Sequence, residues 1–356
     1  MNRALVDSLL GFLAQDGCSD AEFDAMALRL FAEQHAHNAA FRRFCQLRGA
    51  TPRTVKGWRD IPAVPISAFK EVSLSCTPPE SAERVFMTSG TTRGDVKGRH
   101  YHPTIAVWDA SFIPNFARRF MQRASRLRMA VLFPGEQELP NSSLAHYLAM
   151  AVRHFGTDDS RYFVDLQGMD SAGLHDFLQR AQDSGAPCAV LGASYSFVHL
   201  FDAFAHERFA LPAGSRILDT GGYKGQARAL PPEDFYARLS ATFGVPRERC
   251  INMYGMTELS SQFYDRGNVL VPSVKSGPHW LRSRVIDPLT GREVARGERG
   301  VLVHCDLASF NSVSTILTED VGVAVEGGFL LLGRAEGAQA RGCSLAMEEF
   351  LQAARA

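Results

Sequence analysis

Hydroxyl groups, glycines and a lysine are concentrated in one short stretch of the sequence. Residues 86–99 read FMTSGTTRGDVKGR and contain three threonines, one serine, three glycines and one lysine. Backbone N–H groups and hydroxyls in a loop of this composition bind phosphate oxygens. The apolar residues 85–87 predict a buried strand, so the loop follows a strand end, where ligands of open α/β sheets bind. A phosphate site is the first hypothesis, and a polar surface turn is the alternative.

The P-loop of nucleoside triphosphatases is one kind of phosphate site, and the sequence disfavours it. That pattern, G-x-x-x-x-G-K-[ST], ends in a lysine followed by a hydroxyl residue that reaches the metal. Here Lys97 precedes Gly98, and neither serine nor threonine follows the lysine. A phosphate site of another kind is therefore expected.

Two further loops follow predicted strands. The sequence TGGYKG, residues 220–225, follows a strand that ends at Asp219, and YGMTE, residues 254–258, follows a strand that ends at Met253. Both loops are therefore placed where ligands of open α/β sheets collect. Taken alone, the first motif is also compatible with a simple turn and the second with an ordinary helix start.

Composition excludes several classes of protein. The 356 residues are 46% hydrophobic and 21% charged, and the 38 basic and 38 acidic residues cancel, so bulk electrostatics does not favour a nucleic-acid or anionic-membrane partner. Seven scattered cysteines without a Cys-x-x-Cys pair argue against a disulfide framework and a structural zinc site. We identify neither a signal peptide nor a run of the ~20 apolar residues that a membrane helix needs, which predicts a cytoplasmic protein without a membrane span.

The elements that must position the loops alternate between strand and helix. Residues 3–47 have apolar residues at helical spacing, and the proline-rich residues 60–70 predict an extended segment. From residue 128 to residue 253, apolar runs alternate with helical patterns, which predicts βαβ units and a mostly parallel sheet. After Gly267, short runs such as 269–271 predict a small β subdomain. A short helix is predicted for residues 346–356.

The chain is accordingly divided into four segments, of which residues 1–332 are expected to form one structural domain. They are an N-terminal helical and extended layer at 1–80, an α/β nucleotide- and acid-binding core at 81–266, a β-rich subdomain at 267–332, and a hinge remnant with a C-terminal tail at 333–356. Predicted strands of the core are 128–134, 161–165, 187–192, 216–219 and 250–253, and predicted helices are 104–125, 142–154, 170–183, 194–206 and 232–243.

The order and spacing of the three loops resemble the adenylate-forming superfamily, which includes acyl-CoA synthetases, firefly-type luciferases and peptide-synthetase adenylation domains. In that superfamily a TSGTTGxPKG loop holds the ATP phosphates, a glycine loop meets the adenine, and an aspartate and an arginine hold the ribose. YGxTE places its threonine near the α-phosphate and its glutamate on magnesium. The resemblance implies the α/β fold of the N-terminal domain, with parallel sheets flanked by helices.

Carried over residue by residue, the resemblance implies ATP and Mg²⁺ as cofactors. Glu258 would be the magnesium ligand, and Thr257 would act with it in catalysis. The implied ATP-binding residues are Thr88, Ser89, Gly90, Thr91, Thr92, Lys97, Gly221, Gly222, Tyr254, Gly255, Thr257, Asp320 and Arg334.

The chain departs from the superfamily pattern at its C-terminus. Most members continue for ~100 residues past a Gly-Arg hinge, about one small domain, and that domain brings a catalytic lysine. This chain ends at Ala356, so the usual C-terminal domain is expected to be truncated and its lysine missing. Lys224, in the glycine loop, is the candidate that balances charge on the carboxylate and the α-phosphate. A solvated lysine is the alternative.

Three segments are similar to the acyl-protein synthetases, the LuxE-type subunits of the bioluminescent fatty-acid reductase system, and to their relatives. They are IPAVPISAFK at 61–70, GGYKG at 221–225 and RGCSL at 341–345. In that family the acyl group is thought to pass from the adenylate to a cysteine near the C-terminus, and Cys343 is in the matching place. Arg341 would lower its pKa, and flanking glycine and serine favour a mobile, accessible segment. The alternative is a small buried apolar residue.

The sequence gives less evidence on which residues line the pocket for the carboxylic acid. His146 and Ser194 follow predicted strands and are candidate pocket residues, although His146 is equally compatible with a helix surface. His100 and His102 are not assigned to a metal site, because no further ligands lie nearby in the sequence.

The predicted function is ATP-dependent activation of a carboxylic acid, fatty in the resembled family, as an acyl-adenylate with release of pyrophosphate. The acyl group would then pass to Cys343 for delivery to a partner reductase, synthase or carrier protein. One alternative is direct transfer to coenzyme A or to a carrier-protein thiol, with Cys343 silent. Another is a non-catalytic acyl- or nucleotide-binding subunit that regulates a partner.

Overall fold

The structure is a computed structural model that describes residues 2–89, 96–222 and 227–355. Ten α-helices lie in these ranges, and none of them is both long and apolar enough to cross a membrane. The helices are α1 Arg3–Leu13, α2 Asp20–His37, α3 Ala39–Leu47, α4 Ala68–Glu71, α5 Ala106–Phe116, α6 Ser143–Phe155, α7 Ser171–Ser184, α8 Ser194–Ala203, α9 Pro232–Phe243 and α10 Gly337–Arg355.

Strands of the described ranges are mostly short. They are β1 Val64–Pro65, β2 Arg84–Met87, β3 Arg99–His102, β4 Arg128–Leu132, β5 Arg161–Tyr162, β6 Cys188–Ala193, β7 Arg216–Thr220, β8 Cys250–Tyr254, β9 Phe263–Tyr264, β10 Val274–Lys275, β11 Leu281–Ile286, β12 Arg299–Asp306, β13 Thr315–Val325 and β14 Gly328–Arg334.

The chain forms two compact units that are interleaved along the sequence. Unit 1 comprises Met1–Ser111, Met256–Gln262 and Ser276–Ala356, and unit 2 comprises Phe112–Gly255 and Phe263–Lys275. The YGMTE motif is therefore shared in sequence, with Tyr254 and Gly255 in unit 2 and the next three residues in unit 1.

Unit 2 contains the predicted parallel sheet. Its strands lie in the order β5-β4-β6-β7-β8, all parallel, and β9 pairs antiparallel with β8 at the edge. All six residues of β6 are buried, as expected for a strand covered on both faces. Helices α7, α8 and α9 pack their apolar faces on the sheet, with Leu178, Phe197 and Leu239 in one core cluster. The predicted α/β alternation is confirmed.

The helix predicted after residue 104 runs through its proline. Pro114 lies inside α5, and the turn that follows, Ala117–Met121, is a π-helix. Proline removes a backbone donor from the helix interior, and a π-turn is one of the ways in which a helix accommodates such a break. The interruption that proline favours is thus a change of helix type a few residues later.

Unit 1 begins with the predicted N-terminal helices. Ser19 caps α2 in a reciprocal capping box with Glu22, and Asn38 ends α2 while its side chain accepts from the Phe41 amide to start α3. Gly49, with φ +64, follows α3 in the left-handed conformation that ends helices. These side chains explain why the helical pattern divides into three elements.

The C-terminal β-rich part of unit 1 is an antiparallel sheet in the order β11-β12-β13-β14. The predicted extended segment at 60–70 contributes β1, which runs parallel to β13 with Val64 opposite Ile316, and then turns into α4. The longest strand of this sheet is β13, which is continuous over the 11 residues Thr315–Val325. The strand predicted at 269–271 is wrong: these residues form bends, and the Leu270 side chain is 78% exposed.

The last helix is longer than predicted. It begins at Gly337 rather than at residue 346, and it has 19 residues. Two glycines in the first turns weaken the helical pattern in the sequence. Tertiary contacts with α3 stabilise the helix instead: Phe350 packs edge-on against Phe44 at a centroid distance of 5.1 Å, and Arg48 Nε donates to Glu349 Oε1 at 2.8 Å.

Candidate active site

The two ends of the hydroxyl-rich loop are joined where β2 and β3 meet. The Thr88 amide donates to the Gly98 carbonyl at 3.0 Å, and the Gly98 amide donates to Thr88 Oγ1 at 2.9 Å. These bonds extend the β2-β3 ladder beyond Met87 and Arg99. Because Thr88 Oγ1 accepts here, its own proton remains available for another acceptor.

Several predicted site residues lie outside the described ranges, namely Gly90, Thr91, Thr92 and Lys224. Of the loop residues that are described, Ser89 and Lys97 are exposed.

Glu258 lies beside the base of the loop. Its side chain is 6% exposed, and a Cβ added to Gly98 would stand 3.5 Å from Glu258 Oε1, 3.2 Å from Thr88 Cγ2 and 3.4 Å from the Phe69 Cβ. The absence of a side chain at Gly98 therefore leaves a narrow space next to a carboxylate. Unit 1 thus brings together two predicted site residues, Thr88 and Glu258, that are 170 positions apart in the sequence.

His100 holds the backbone of the YGMTE motif. Its Nδ1 is 3.0 Å from the Thr257 carbonyl oxygen. A carbonyl only accepts, so Nδ1 carries the proton. Complete burial lowers the pKa of His100 to about 4, so the ring is neutral near pH 7. In the described ranges no three histidine, cysteine or acidic side chains form a metal-binding group.

Asp306, at the end of β12, holds the residues that follow Glu258. Its Oδ2 accepts from the amides of Ser260 and Ser261, both at 2.8 Å, and its Oδ1 accepts from Ser261 Oγ at 2.8 Å and the Ala308 amide at 3.0 Å. The carboxylate is fully buried. Sequence reasoning missed this residue, although a carboxylate at the end of an apolar strand is a detectable signal.

We expect Asp306→Asn to lower the free energy of unfolding by about 2–3 kcal/mol. Each carboxylate oxygen of Asp306 accepts at least two hydrogen bonds, so in either orientation the N–H groups of the new amide would face at least two hydrogen-bond donors. Urea denaturation measures this change as a lower midpoint at constant slope. Asp7→Asn, on the exposed side of α1, is the matched control and should change stability by less than about 0.5 kcal/mol. Equal midpoints for the two variants would contradict the bracing role of Asp306.

The predicted ribose-binding pair lies on adjacent strands of unit 1. Asp320 on β13 is opposite Arg334 on β14 in the register, and Arg334 Nη1 donates to Asp320 Oδ1 at 3.2 Å. Arg334 Nη2 also donates to Glu319 Oε2 at 2.9 Å. Asp320 is 8% exposed, whereas the Arg334 side chain is 66% exposed. The structure therefore brings the two residues together on neighbouring strands of the sheet.

Apart from Cys343, the remaining predicted residues that are described belong to unit 2. Gly221 has φ +74 and, like Gly222, is exposed, while Tyr254 is buried at the end of β8. Ser194 begins α8 and its Oγ is 2.9 Å from Asp219 Oδ2. His146 is 3% exposed with its Nδ1 2.9 Å from Glu136 Oε1, so the alternative of a helix-surface histidine is wrong.

Cys343 is inside α10 and is not on an exposed segment. It is 9% exposed, its Sγ contacts the Thr318 carbonyl at 3.8 Å, and it packs with Ile286 and Leu317. Burial is the main cause that raises the pKa of Cys343 to about 11, and the negative charge of the nearby Glu319 carboxylate adds to the rise. The expected lowering by Arg341 is wrong, because side chains two positions apart on a helix point to different faces.

A cavity of about 470 Å³ borders the Cys343 side chain. Ala335, Ala340 and Met347 supply apolar walls. The charged and hydroxyl groups on its lining are Ser67, Glu319, Arg334, Ser344 and Glu348.

We expect Cys343 to react with iodoacetamide about 100-fold more slowly in the folded chain than in the urea-unfolded chain at pH 7.5, since a rise in pKa of about two units lowers the thiolate fraction about 100-fold. Mass mapping of the alkylated peptide against time gives the two rates. A folded-state rate within threefold of the unfolded rate would show that the thiol is accessible, contrary to its burial in α10.

Comparison with known proteins decides the family. The model of the LuxE acyl-protein synthetase family matches residues 15–352. The chain belongs to this family. It is 23% identical over 303 residues to a long-chain-fatty-acid–luciferin-component ligase of Vibrio harveyi, covering 83% of this chain and 77% of the relative. It is 24% identical over 308 residues to a ligase of the same name from Aliivibrio fischeri, covering 85% and 79% of the two chains.

Solved structures confirm the adenylate-forming fold of this LuxE-family chain. A 2-hydroxyisobutyryl-CoA ligase in complex with 2-HIB-AMP superimposes with a TM-score of 0.66 at 17% identity, over 88% of this chain and 67% of the other. At this identity the likeness shows the fold alone. The predicted acyl-protein synthetase resemblance and the predicted fold class are both confirmed.

Proposed function

We propose that this LuxE-family chain uses ATP to activate a long-chain carboxylic acid as an acyl-adenylate and then transfers the acyl group to a thiol. The observation that carries the proposal is the cluster of Thr88, Gly98 and Glu258 at the base of the hydroxyl-rich loop, within a chain of the acyl-protein synthetase family. The two Vibrio-type relatives are named for ligation of long-chain fatty acids, which supports this substrate class.

The described residues fit ATP with Mg²⁺. The Glu258 carboxylate is a hard oxygen ligand, and Mg²⁺ is usually held by one or two carboxylates together with substrate phosphates, so a cluster of three protein ligands is not required. Gly98 keeps side-chain atoms away from that carboxylate, since an added Cβ would lie 3.5 Å from Glu258 Oε1. When bound, the ion would neutralise charge that develops on the phosphates. Asp320 and Arg334 remain the proposed ribose contacts, and Gly221, Gly222, Tyr254 and Gly255 the proposed adenine side.

In the activation step, a carboxylate oxygen of the acid forms a bond to the α-phosphorus of ATP, and the bond from that phosphorus to pyrophosphate breaks. Thr88 and Thr257 would donate to the phosphates, with Ser89, Lys97 and the loop residues Gly90, Thr91 and Thr92. Lys224 is proposed to balance charge near the acid. His146 and Ser194 stay proposed for the acid pocket.

In the transfer step, we assign the acceptor to the Cys343 thiol. Sulfur forms a bond to the acyl carbonyl carbon, AMP leaves, and the thiol proton passes to solvent. The cavity beside Cys343 supports this assignment, because its apolar walls and charged rim suit a chain with a polar end. A partner reductase, synthase or carrier protein would then take the acyl group.

Burial of Cys343 favours one alternative acceptor. A thiol that is 9% exposed with a raised pKa is a weak nucleophile in this conformation. Direct transfer to coenzyme A or to a carrier-protein thiol therefore stays a second candidate. We also propose a cytoplasmic location, which is supported by seven cysteines that are all free thiols.

Isotope exchange between pyrophosphate and ATP, with Mg²⁺ and a panel of carboxylic acids from short to long chain, tests the activation step. Exchange that depends on a long-chain acid is the expected result. Exchange with short acids only would reject the substrate class, and no exchange with any acid would reject the ligase in favour of a binding subunit.

A further inference from the structure

Three oxygen atoms surround the hydroxyl of Ser194 in unit 2. Its Oγ is 2.9 Å from Asp219 Oδ2, 3.1 Å from the Thr220 carbonyl and 3.0 Å from the Gly221 carbonyl. Ser194 is 5% exposed and Asp219 is 1% exposed, so water cannot easily supply the missing donors. A hydroxyl carries one proton and cannot donate to three acceptors at once.

The surroundings of Asp219 favour its neutral form. Among the described residues, Asp219 Oδ1 is buried without a hydrogen-bond partner, and Oδ2 accepts from Asn252 Nδ2 at 2.9 Å. Lys275, a described cation whose charge lowers the pKa of Asp219, donates to Asp265 at 2.8 Å. An ionised carboxylate with one unsatisfied buried oxygen is costly. Burial accordingly raises the pKa of Asp219 to about 6.

A second proton resolves the contacts around Ser194. Neutral Asp219 donates from Oδ2 to Ser194 Oγ, which frees the hydroxyl proton for the carbonyls of Thr220 and Gly221. When Asp219 is ionised, the carboxylate is the strongest acceptor and takes the hydroxyl proton. Both carbonyls then face the lone pairs of Ser194, and the start of the TGGYKG loop loses its hydrogen bond.

We propose that Ser194 and Asp219 are positioning residues for the TGGYKG loop. A proton held on Asp219 directs the Ser194 hydroxyl to the carbonyls of Thr220 and Gly221, at the start of that loop. This inference rests on the proposed function, since that function places Gly221 and Gly222 against the nucleotide. It changes the role of Ser194 from pocket lining to loop support.

Four described titratable groups interact with Asp219. Lys275 and Asp265 approach from the segment after β9, and Tyr236 on α9 places its hydroxyl 3.5 Å from Asp219 Oδ2. The fourth is the thiol of Cys250 on β8, whose pKa is raised in part by the Asp219 charge. Burial raises the pKa of Asp219 to about 6 and that of Cys250 to about 12, so of these two groups Asp219 is the one that titrates near pH 6.

Asp219→Asn tests the proposal because its amide does not ionise, and its Nδ2 donates to Ser194 once the Asn252 amide turns its oxygen towards that Nδ2. At each pH we divide the KM for ATP of the wild-type enzyme by that of Asp219→Asn. We expect this ratio to rise about two- to tenfold between pH 5 and pH 7.5, which is the size of effect that the loss of one hydrogen bond produces. Taking the ratio at each pH cancels the ionisation of ATP itself. The value of kcat should change less than KM. A ratio independent of pH would overturn the proposal.

Hydrogen exchange of the peptide that contains Thr220 and Gly221 provides a readout that needs no activity. Ser194→Ala should speed its exchange about two- to tenfold at pH 5.5, and Ser196→Ala, a buried serine on the same helix, should leave it unchanged. Equal exchange in both variants would overturn the proposal even if the chain showed no ligase activity. Loss of pyrophosphate exchange in the wild type would instead reject the proposed function alone.

Discussion

Glu258→Gln is expected to lower kcat/KM for acid-dependent pyrophosphate exchange by about 10²–10³-fold, the size typical of removing one group that stabilises transition-state charge. Glutamine keeps the volume beside Gly98 and the buried position, but it removes the negative charge that suits a magnesium ligand. The measurement is the exchange rate at saturating acid, with Mg²⁺ varied. We also expect the Mg²⁺ concentration for half-maximal rate to rise.

The control for this experiment is Glu293→Gln, which removes a glutamate in a surface ion pair with Arg59 at 3.3 Å. Such pairs contribute ~0–1 kcal/mol, so activity should stay close to wild type. Urea midpoints for both variants separate loss of folding from loss of chemistry. If a folded Glu258→Gln enzyme keeps its full rate and Mg²⁺ dependence, Glu258 is not the metal ligand.

Cys343→Ala is expected to abolish covalent labelling of the chain by radioactive acid and ATP, while pyrophosphate exchange stays within about threefold of wild type. The reason is that the thiol enters only after the adenylate has formed, so its removal spares the first step. Label is measured after denaturation, and its loss on treatment with neutral hydroxylamine identifies a thioester. Mass mapping should place the adduct on the peptide that contains Cys343.

Cys76→Ala is the matched control, because Cys76 is also a partly buried thiol whose pKa is raised, to about 12, by burial. It should label like the wild type. Label retained by Cys343→Ala would reject the acyl-cysteine and favour direct transfer to coenzyme A or a carrier thiol. Loss of exchange in Cys343→Ala, with folding intact, would instead place the cysteine in the activation step.

Local chemistry explains why most of the fold was predictable. The buried strands of unit 2 are continuous apolar runs, and α9 occupies 232–243 as predicted, since Pro231 and Pro232 begin it and Gly244, with φ +63, ends it. The predictions failed where tertiary contacts outweigh local preference. Residues 269–271 are apolar but exposed, and α10 continues through two glycines because it packs on α3.

The candidate site divides in the same way. The resemblance to the ordered motifs of the adenylate-forming superfamily was sufficient to select Thr88, Glu258, Asp320 and Arg334 as candidates. Asp306 and His100 were not assigned a role, because each acts on a backbone group far away in the sequence, the Ser260 amide and the Thr257 carbonyl. Asp219 was not assigned one, because it acts through the distant Ser194 side chain.

By itself, the sequence predicted the α/β class, the family and a set of candidate ATP-binding residues, because periodicity is a local property of the chain and the motifs resemble those of a known family. Only the tertiary structure decided the state of each group. It encloses Gly98 between Thr88 and Glu258, surrounds Ser194 with three acceptors, and buries Cys343 in a helix with a raised pKa. Burial and hydrogen-bond partners depend on residues distant in sequence, and these set both charge and reactivity.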